Sequence, residues 1–343
     1  MAESLSSLLK VFSGYISDKF QKKKALAEVG YSTGILYKIA LIFATSWLGI
    51  LGARVIDRIG KGIRTAPRDV LVSESTDKNS MGKAFGIHKA LDMAGAAIGI
   101  FITYVLLEKS NGDFEFKKLF LISVIPAILG LFMFIFIKET KIPIEHTNRE
   151  RFWKNISKLQ PQLKLYLFVA FLFTLGNSSN VFLLLKGKSI GFDDKSVILL
   201  YFIYNITAAG LSVPLGKLSD VIGRKSLLVC GYIVFSGVYL GFAFSQSKTF
   251  MVAMFVLYGV YTAMIAGVER AYIAEISPNN LKGTMLGLHS TISGIALLPA
   301  SVVAGLLWTN VSAKAPFMFG AILSLVAAII LAIFMKNKKE EIS

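Results

Sequence analysis

An all-α polytopic membrane protein built from two homologous halves is the fold class this chain predicts, on three observations. The first is composition: 343 residues with 54% hydrophobic content and a mean hydropathy of +0.63, more apolar than a water-soluble globule of this length sustains. The second is segment length. A helix needs about 20 residues to cross a bilayer core, and apolar stretches on that scale cover 25–45, 82–107, 118–137, 165–185, 196–216, 226–247, 250–268, 283–308 and 315–335. Weaker candidates at 2–17 and 47–72 raise the total to eleven. Period-two alternation over barrel-strand lengths is absent from the sequence, which excludes the β alternative. The third observation is an internal repeat: GYISDKFQKKK at Gly14–Lys24 returns as GKLSDVIGRKS at Gly216–Ser226.

The repeat acts as a ruler. Its two copies lie 202 residues apart, and the same offset relates Arg68 to Arg270. An offset of 201 relates Gly82, Gly86 and His88 to Gly283, Gly287 and His289. Matches spread along the chain at one offset mark a duplication of whole halves rather than a short-period solenoid. The expected organisation is therefore an N-terminal bundle at 1–137, a polar linker at 138–164, a C-terminal bundle at 165–336 and a tail at 337–343. The linker is charged and holds Pro143 and Pro161, with room for a short amphipathic surface helix near 152–159. Carried backwards, the offset places the counterpart of 165–185 before Met1. The expectation is that the first half lacks its first helix, leaving about eleven helices of twelve.

Charge orients the chain. The formal net charge of +16 concentrates in Lys19, Lys22, Lys23 and Lys24, in Lys138 through Lys164, and at Arg224, Lys225, Lys336, Lys338 and Lys339. These positions fall on one side of the zigzag, so the positive-inside rule places them and the C-terminus in the cytoplasm. That placement argues for a lipid-bilayer partner and against nucleic acid. Cys230, the single cysteine, excludes a disulfide framework and reads as a small buried hydrophobe. No cleavable signal peptide is expected at the N-terminus, because MAESLSSLLK has no basic stretch before its apolar part.

The two Gly-x-x-Ser-Asp turns resemble the loop motif of the major facilitator superfamily, and Arg54 in ARVIDRIGKG resembles its fourth-helix motif, with Arg58 in place of the first glycine. The stretches RVIDRIGKGIRTAPRDVLV, GKAFGIHKALDMAGAAIG, LGNSSNVFLLL and GVERAYIAEISP are similar to a poorly characterised prokaryotic branch of that superfamily. The resemblance covers essentially the whole chain. It implies two six-helix bundles around a central cavity, lined by the first, fourth, seventh and tenth helices, with alternating access by rocking. It also implies a gating latch: Asp18 and Asp220, with Lys19, Lys22, Arg224 and Lys225 as partners. A plain tight turn carrying orienting charges is the alternative reading of the same residues. Gly95 and Gly99 resemble an antiporter motif and read as close helix contacts, but Ile100 stands where that motif has proline.

Segment 47–72 carries the least expected chemistry. Arg54, Arg58, Lys61 and Arg68 fall at i, i+4, i+7 and i+14, on one helical stripe. Asp57, Arg64 and Asp69 are interspersed. A central membrane arginine costs on the order of 3 kcal/mol, so a stripe of them implies a watered cavity or buried acids. Antiparallel pairing with 82–107 would set Arg64 level with Asp92 and Arg68 level with His88. Arg54, Asp57, Arg58, Arg64 and Asp92 are accordingly the candidates for solute or proton coupling, since a carboxyl beside arginine responds strongly to pairing. Arg68, His88, Glu269 and Arg270 read as a structural polar network.

In the second half, GNSSN at Gly176–Asn180 interrupts an apolar span, so Asn177 and Asn180 either bond between helices or face a solute. Tyr258 and Tyr261, on one face with Thr262, are either packing or cavity residues, and Asn205 reads as structural. Gly60-Lys61-Gly62 lacks the upstream glycine and the following Ser or Thr of a phosphate loop. The sequence presents no metal-ligand spacing and no nucleophile–base arrangement, so no cofactor, no metal and no enzyme activity is expected. The function expected is secondary active transport of a small organic solute, anionic by the stripe's charge and driven by protons, by a monomer. A drug-like exporter is the alternative within that class, and a non-transporting remnant or scaffold is the alternative outside it.

Overall fold

A computed structural model describes residues 2–109, 116–139 and 159–335. Most of the expected linker, its surface helix near 152–159, the 337–343 tail and several basic residues counted in the charge argument (Lys336, Lys338 and Lys339 among them) lie outside the described residues. Among those described, the secondary structure is helical with no strand. Nine stretches are long and apolar enough to cross a membrane: 23–43, 78–106, 117–136, 161–189, 194–222, 224–244, 248–276, 279–310 and 315–334. The two weaker segments are helical as well, α1 (Ala2–Phe20) and α3 (Trp47–Glu74). The charge stripe is what lowers the hydropathy of α3.

The remaining helices are α2 (Lys23–Phe43), α4 (Met81–Lys109), α5 (Phe116–Phe132), α6 (Pro161–Gly176), α7 (Val181–Ser189), α8 (Asp194–Ile222), α9 (Arg224–Phe244), α10 (Lys248–Ile265), α11 (Val268–Ile276), α12 (Lys282–Asn310) and α13 (Ala315–Phe334). Local chemistry starts several of them. Ser46 accepts from the Gly49 N–H at 3.3 Å before α3, and Ser247 from the Phe250 N–H at 3.2 Å before α10, satisfying donors that a helix start leaves open. The repeated turn uses a left-handed residue in both copies: Gly223 has φ 93° and its counterpart Gln21 has φ 52°. A side chain there costs about 1–2 kcal/mol, partly offset because Gln21 Nε2 donates to the Asp18 carbonyl at 2.9 Å.

Two spans are broken where the sequence suggested continuity. The chain unwinds at 177–180 between α6 and α7, and turns at 266–267 between α10 and α11. Asn-Ser-Ser-Asn competes with the backbone for hydrogen bonds, which accounts for the first break.

The chain forms two compact units, Met1–Ser75 with Asn111–Leu163 and Ile276–Ile295, and Thr76–Ser110 with Lys164–Glu275 and Ala296–Ser343. The first thus holds α1, α2, α3, α5 and the front of α12, and the second holds α4, α6–α11, α13 and the rear of α12. Helix α4 joins second-half helices, and 276–295 joins first-half ones. Glycine is the reason inside each unit. A Cβ on Gly283 would lie 2.8 Å from the Gly14 carbonyl, and one on Gly86 would lie 2.5 Å from the Ser212 carbonyl, so these backbones approach as only glycine permits. At Gly95 and Gly99, expected as the close contacts of this region, an added Cβ would meet nothing within 4 Å among the described residues. The core of the first unit is built of small side chains such as Ala27, Ala53, Ala66 and Val70. That of the second is aromatic, with Tyr166, Tyr232, Phe235, Tyr239, Phe242, Phe255 and Phe317 fully buried. Cys230, expected inside, is exposed on α9.

Candidate functional site

The repeated turns build two matching clasps. The first residues of α12 have N–H groups without helical acceptors, and Asp18 supplies them. Its carboxylate accepts from the Gly283 N–H at 3.0 Å, the Thr284 N–H at 2.7 Å and the Thr284 hydroxyl at 2.6 Å. Asp220 does the same for α4, accepting from the Gly82 and Lys83 N–H groups at 2.8 Å each. Asp18 is 5% exposed and lies beyond the apolar segment 2–17. Burial pushes its carboxyl up to about 6, against the opposing pull of the hydrogen bonds from Thr284 and Gly283 and the charge of Lys23.

Of the four basic partners expected, Arg224 is the one shown on an aspartate. It donates to Asp220 at 2.7 Å and to the Lys78 carbonyl at 2.7 Å, and pairs with Glu275. Lys225 instead caps the end of α13 through the Ala332 and Met335 carbonyls. Lys19 lies 5.4 Å from the Phe20 ring centroid, and Lys22 precedes α2 as its N-cap. The sequence reading missed Lys23, Glu74 and Glu275. Lys23 binds both oxygens of Glu74 at 2.6 and 2.7 Å, while its own N–H donates to Glu139 at 2.6 Å. The offset of 201 that relates the glycines also relates Lys23 to Arg224 and Glu74 to Glu275, so the ruler contained the signal.

On α3 the stripe is dispersed among several partners. Arg64 donates to the Gly30 carbonyl at 3.2 Å and lies 4.7 Å from the Tyr31 ring centroid. Arg68 grips Asp69 at 2.9 and 3.1 Å and also hydrogen-bonds Tyr31. Asp57 and Arg58 approach to 4.0 Å; Arg54 is exposed. Lys38 of α2, absent from the sequence reading, donates to the Ser123 carbonyl at 2.7 Å and feels the charges of both Asp57 and Arg64. Asp92, on α4 in the other unit, is exposed and pairs with Lys89 at 3.2 Å. His88 lies one turn before it on the same helix.

The second unit gathers the four cavity candidates into one network at the 177–180 break. Asn177 donates to the Tyr261 hydroxyl at 3.0 Å and accepts from the Tyr239 hydroxyl at 3.4 Å. Tyr258 donates to Asn180 at 2.8 Å. Tyr258 and Tyr261 are nearly fully buried, with ring centroids 5.2 Å apart. Glu269 accepts from the Tyr232 hydroxyl at 3.3 Å, with Arg270 beside it. Asn205 bonds its own helix through the Tyr201 carbonyl at 2.7 Å. Groups of His, Cys, Asp and Glu able to hold a metal ion are absent among the described residues.

Duplicated helices crossing a bilayer, tied at their ends by charge–backbone contacts and interrupted by polar residues within the spans, define a multi-pass membrane protein of the transporter class. The sequence model described as the Major Facilitator Superfamily matches residues 4–192 and again 166–343. An uncharacterized MFS-type transporter of Methanocaldococcus jannaschii is 39% identical over 342 residues, covering 96% of this chain and 83% of that protein. The chain belongs to the Major Facilitator Superfamily, a family of transporters and not of enzymes. The quinolone resistance protein NorA of Staphylococcus aureus is 25% identical over 153 residues, 45% of this chain and 39% of that protein. Among solved structures, the human organic anion transporter MFSD10 superposes with a TM-score of 0.82 at 16% identity, covering 96% of this chain and 82% of that one. The proton:xylose symporter XylE gives 0.79 at 16% identity, covering 98% and 85%. These two likenesses concern the fold.

Proposed function

We propose that the chain is a proton-driven secondary transporter of a small organic anion, acting by alternating access in the cytoplasmic membrane with its basic loops and C-terminus inside. The observation that carries the reading is the cationic cluster of α2 and α3, where Asp57 is the carboxylate among Lys38, Arg58 and Arg64. An excess of fixed positive charge inside a span attracts an anion more strongly than it would in water. The clasps at Asp18 and Asp220 supply the reversible element, because a carboxylate on helix N–H groups can exchange its partners for water. The two helix bundles expected from the duplication would be the bodies that alternate. Arg54, Asp57, Arg58, Arg64 and Asp92 are assigned to the charged region that attracts the solute, and Asn177, Asn180, Tyr258 and Tyr261 to the solute path. Arg68 and Arg270 are assigned to structure.

Two relatives bear on the solute. One solved structure of this fold is that of a human organic anion transporter, in keeping with the charge. The match to a quinolone resistance protein supports a drug exporter as the second reading. A thermal-shift screen of purified protein against pools of small carboxylates, phosphates and cationic drugs separates them. The anion reading expects an organic anion to raise the melting temperature of the wild type and to lose that effect in Arg58→Ala. Stabilisation by cationic drugs alone, unchanged in Arg58→Ala, would refute it.

A further inference from the structure

The duplication brings two tyrosines into register that face opposite charges. Tyr31 and Tyr232 are 201 residues apart. Tyr31 meets guanidinium groups, with Arg64 over its ring at 4.7 Å and Arg68 on its hydroxyl. Tyr232 donates its hydroxyl to the Glu269 carboxylate at 3.3 Å. At the offset of 202 that relates Arg68 to Arg270, the counterpart of Glu269 is Pro67. The acid is thus an addition peculiar to the second half, and duplication alone does not account for it.

Its surroundings suit a group that changes charge. Glu269 stands in the 248–276 span, two residues after the 266–267 turn between α10 and α11. The groups acting on it are phenols from three helices, Tyr166 of α6, Tyr232 of α9 and Tyr261 of α10, together with Arg270 on its own helix. Asp57 and Asp92 differ: each has a cation at ion-pair distance, 4.0 Å to Arg58 and 3.2 Å to Lys89. A carboxyl hydrogen-bonded to a neutral phenol keeps a good partner in either protonation state, because the phenol donates to the anion and accepts from the acid. A carboxyl salt-bridged to a cation loses its partner's attraction on protonation. From Glu269 the phenols also reach the other broken span, since Tyr261 accepts from Asn177, the first residue of the 177–180 break.

We propose that Glu269 is the residue that takes up and releases the coupling proton, with Tyr232 positioning it, and that its charge is passed through Tyr261 and Asn177 to the unwound 177–180 segment. No bond other than O–H is made or broken; one proton moves between bulk water and the Glu269 carboxylate. The proposal rests on the proton-driven reading above, but its test needs no solute. Purified protein in lipid nanodiscs is titrated with acid while infrared difference spectra follow the carboxyl C=O stretch and the tyrosine ring modes. The expected result is a carboxyl band that grows on acidification and is lost in Glu269→Gln, with its midpoint displaced by about one pH unit in Tyr232→Phe. Accompanying changes in the tyrosine modes should be lost in both variants. A spectrum of Glu269→Gln that titrates like the wild type overturns the proposal. So does a Glu269 band with an unmoved midpoint in Tyr232→Phe and no tyrosine change. If Glu269 titrates as expected while no anion stabilises or crosses with the protein, the transport reading fails and the proton site stands.

Discussion

At the scale of single residues, burial of charge dominates. Lys23 is 1% exposed, with Glu74 as its counter-ion. Removing one member of such a pair costs about 3–5 kcal/mol, because the other charge stays buried. Glu74→Ala is therefore expected to lower the unfolding temperature clearly in detergent, while Lys23→Met combined with Glu74→Leu recovers most of the loss; a double variant as unstable as the single would contradict the pairing. Asp18 sets a pH dependence. Its carboxyl sits at about 6 in the clasp against an ordinary 3.8, so the clasped form binds the proton more readily than an opened, hydrated one. The clasp is then strongest below pH 4 and weakens as pH rises through about 6, by on the order of 2–3 kcal/mol. The charged side chain acting on it is Lys23 from α2. Spin labels at Phe20 and Asn280, in a Cys230→Ser background, should report a longer distance at pH 7.5 than at pH 4.5. In Asp18→Asn that change should vanish. The aspartates were legible in the sequence because the turn is repeated. Lys23, Glu74 and Glu275 were legible only through the 201-residue offset, because each alone looks like an ordinary charge at a helix end.

At the scale of elements, glycine decides which helices meet. A Cβ on Gly86 would collide with the Ser212 backbone, whereas one on Gly95 meets open space. Gly86→Ala should therefore force α4 from α8 and reduce stability and yield. Gly95→Ala should change stability by under about 0.5 kcal/mol. Equal effects of the two would refute the close-packing account. Hydropathy located the spans, since each is long, apolar and bounded by charge. It could not show that α4 would join second-half helices, because periodicity marks a buried face without naming what covers it. The breaks at 177–180 and 266–267 were half legible: GNSSN drew attention to itself, while Ala266-Gly267 did not. The partners of Asn177 and Asn180 lie on α9 and α10, some sixty to eighty-four positions away, and depend on a helix register that composition does not contain.

At the scale of the whole molecule, duplication has been spent asymmetrically. Both halves keep the aspartate clasp and its lysine–glutamate or arginine–glutamate companion. They diverge in their interiors, with arginines on Tyr31 in one and a glutamate on Tyr232 in the other. A cationic region for an anion and an acidic site for a proton are the two parts that proton-driven anion transport requires. Proton–anion coupling is measurable in proteoliposomes containing an internal pH dye, to which the anions that stabilise the protein are added one at a time. At least one anion is expected to evoke a proton flux through the wild type. That flux should fall at least tenfold in Arg58→Ala and be abolished in Glu269→Gln. Movement of such an anion with no proton flux, or proton flux undiminished in both variants, would contradict it.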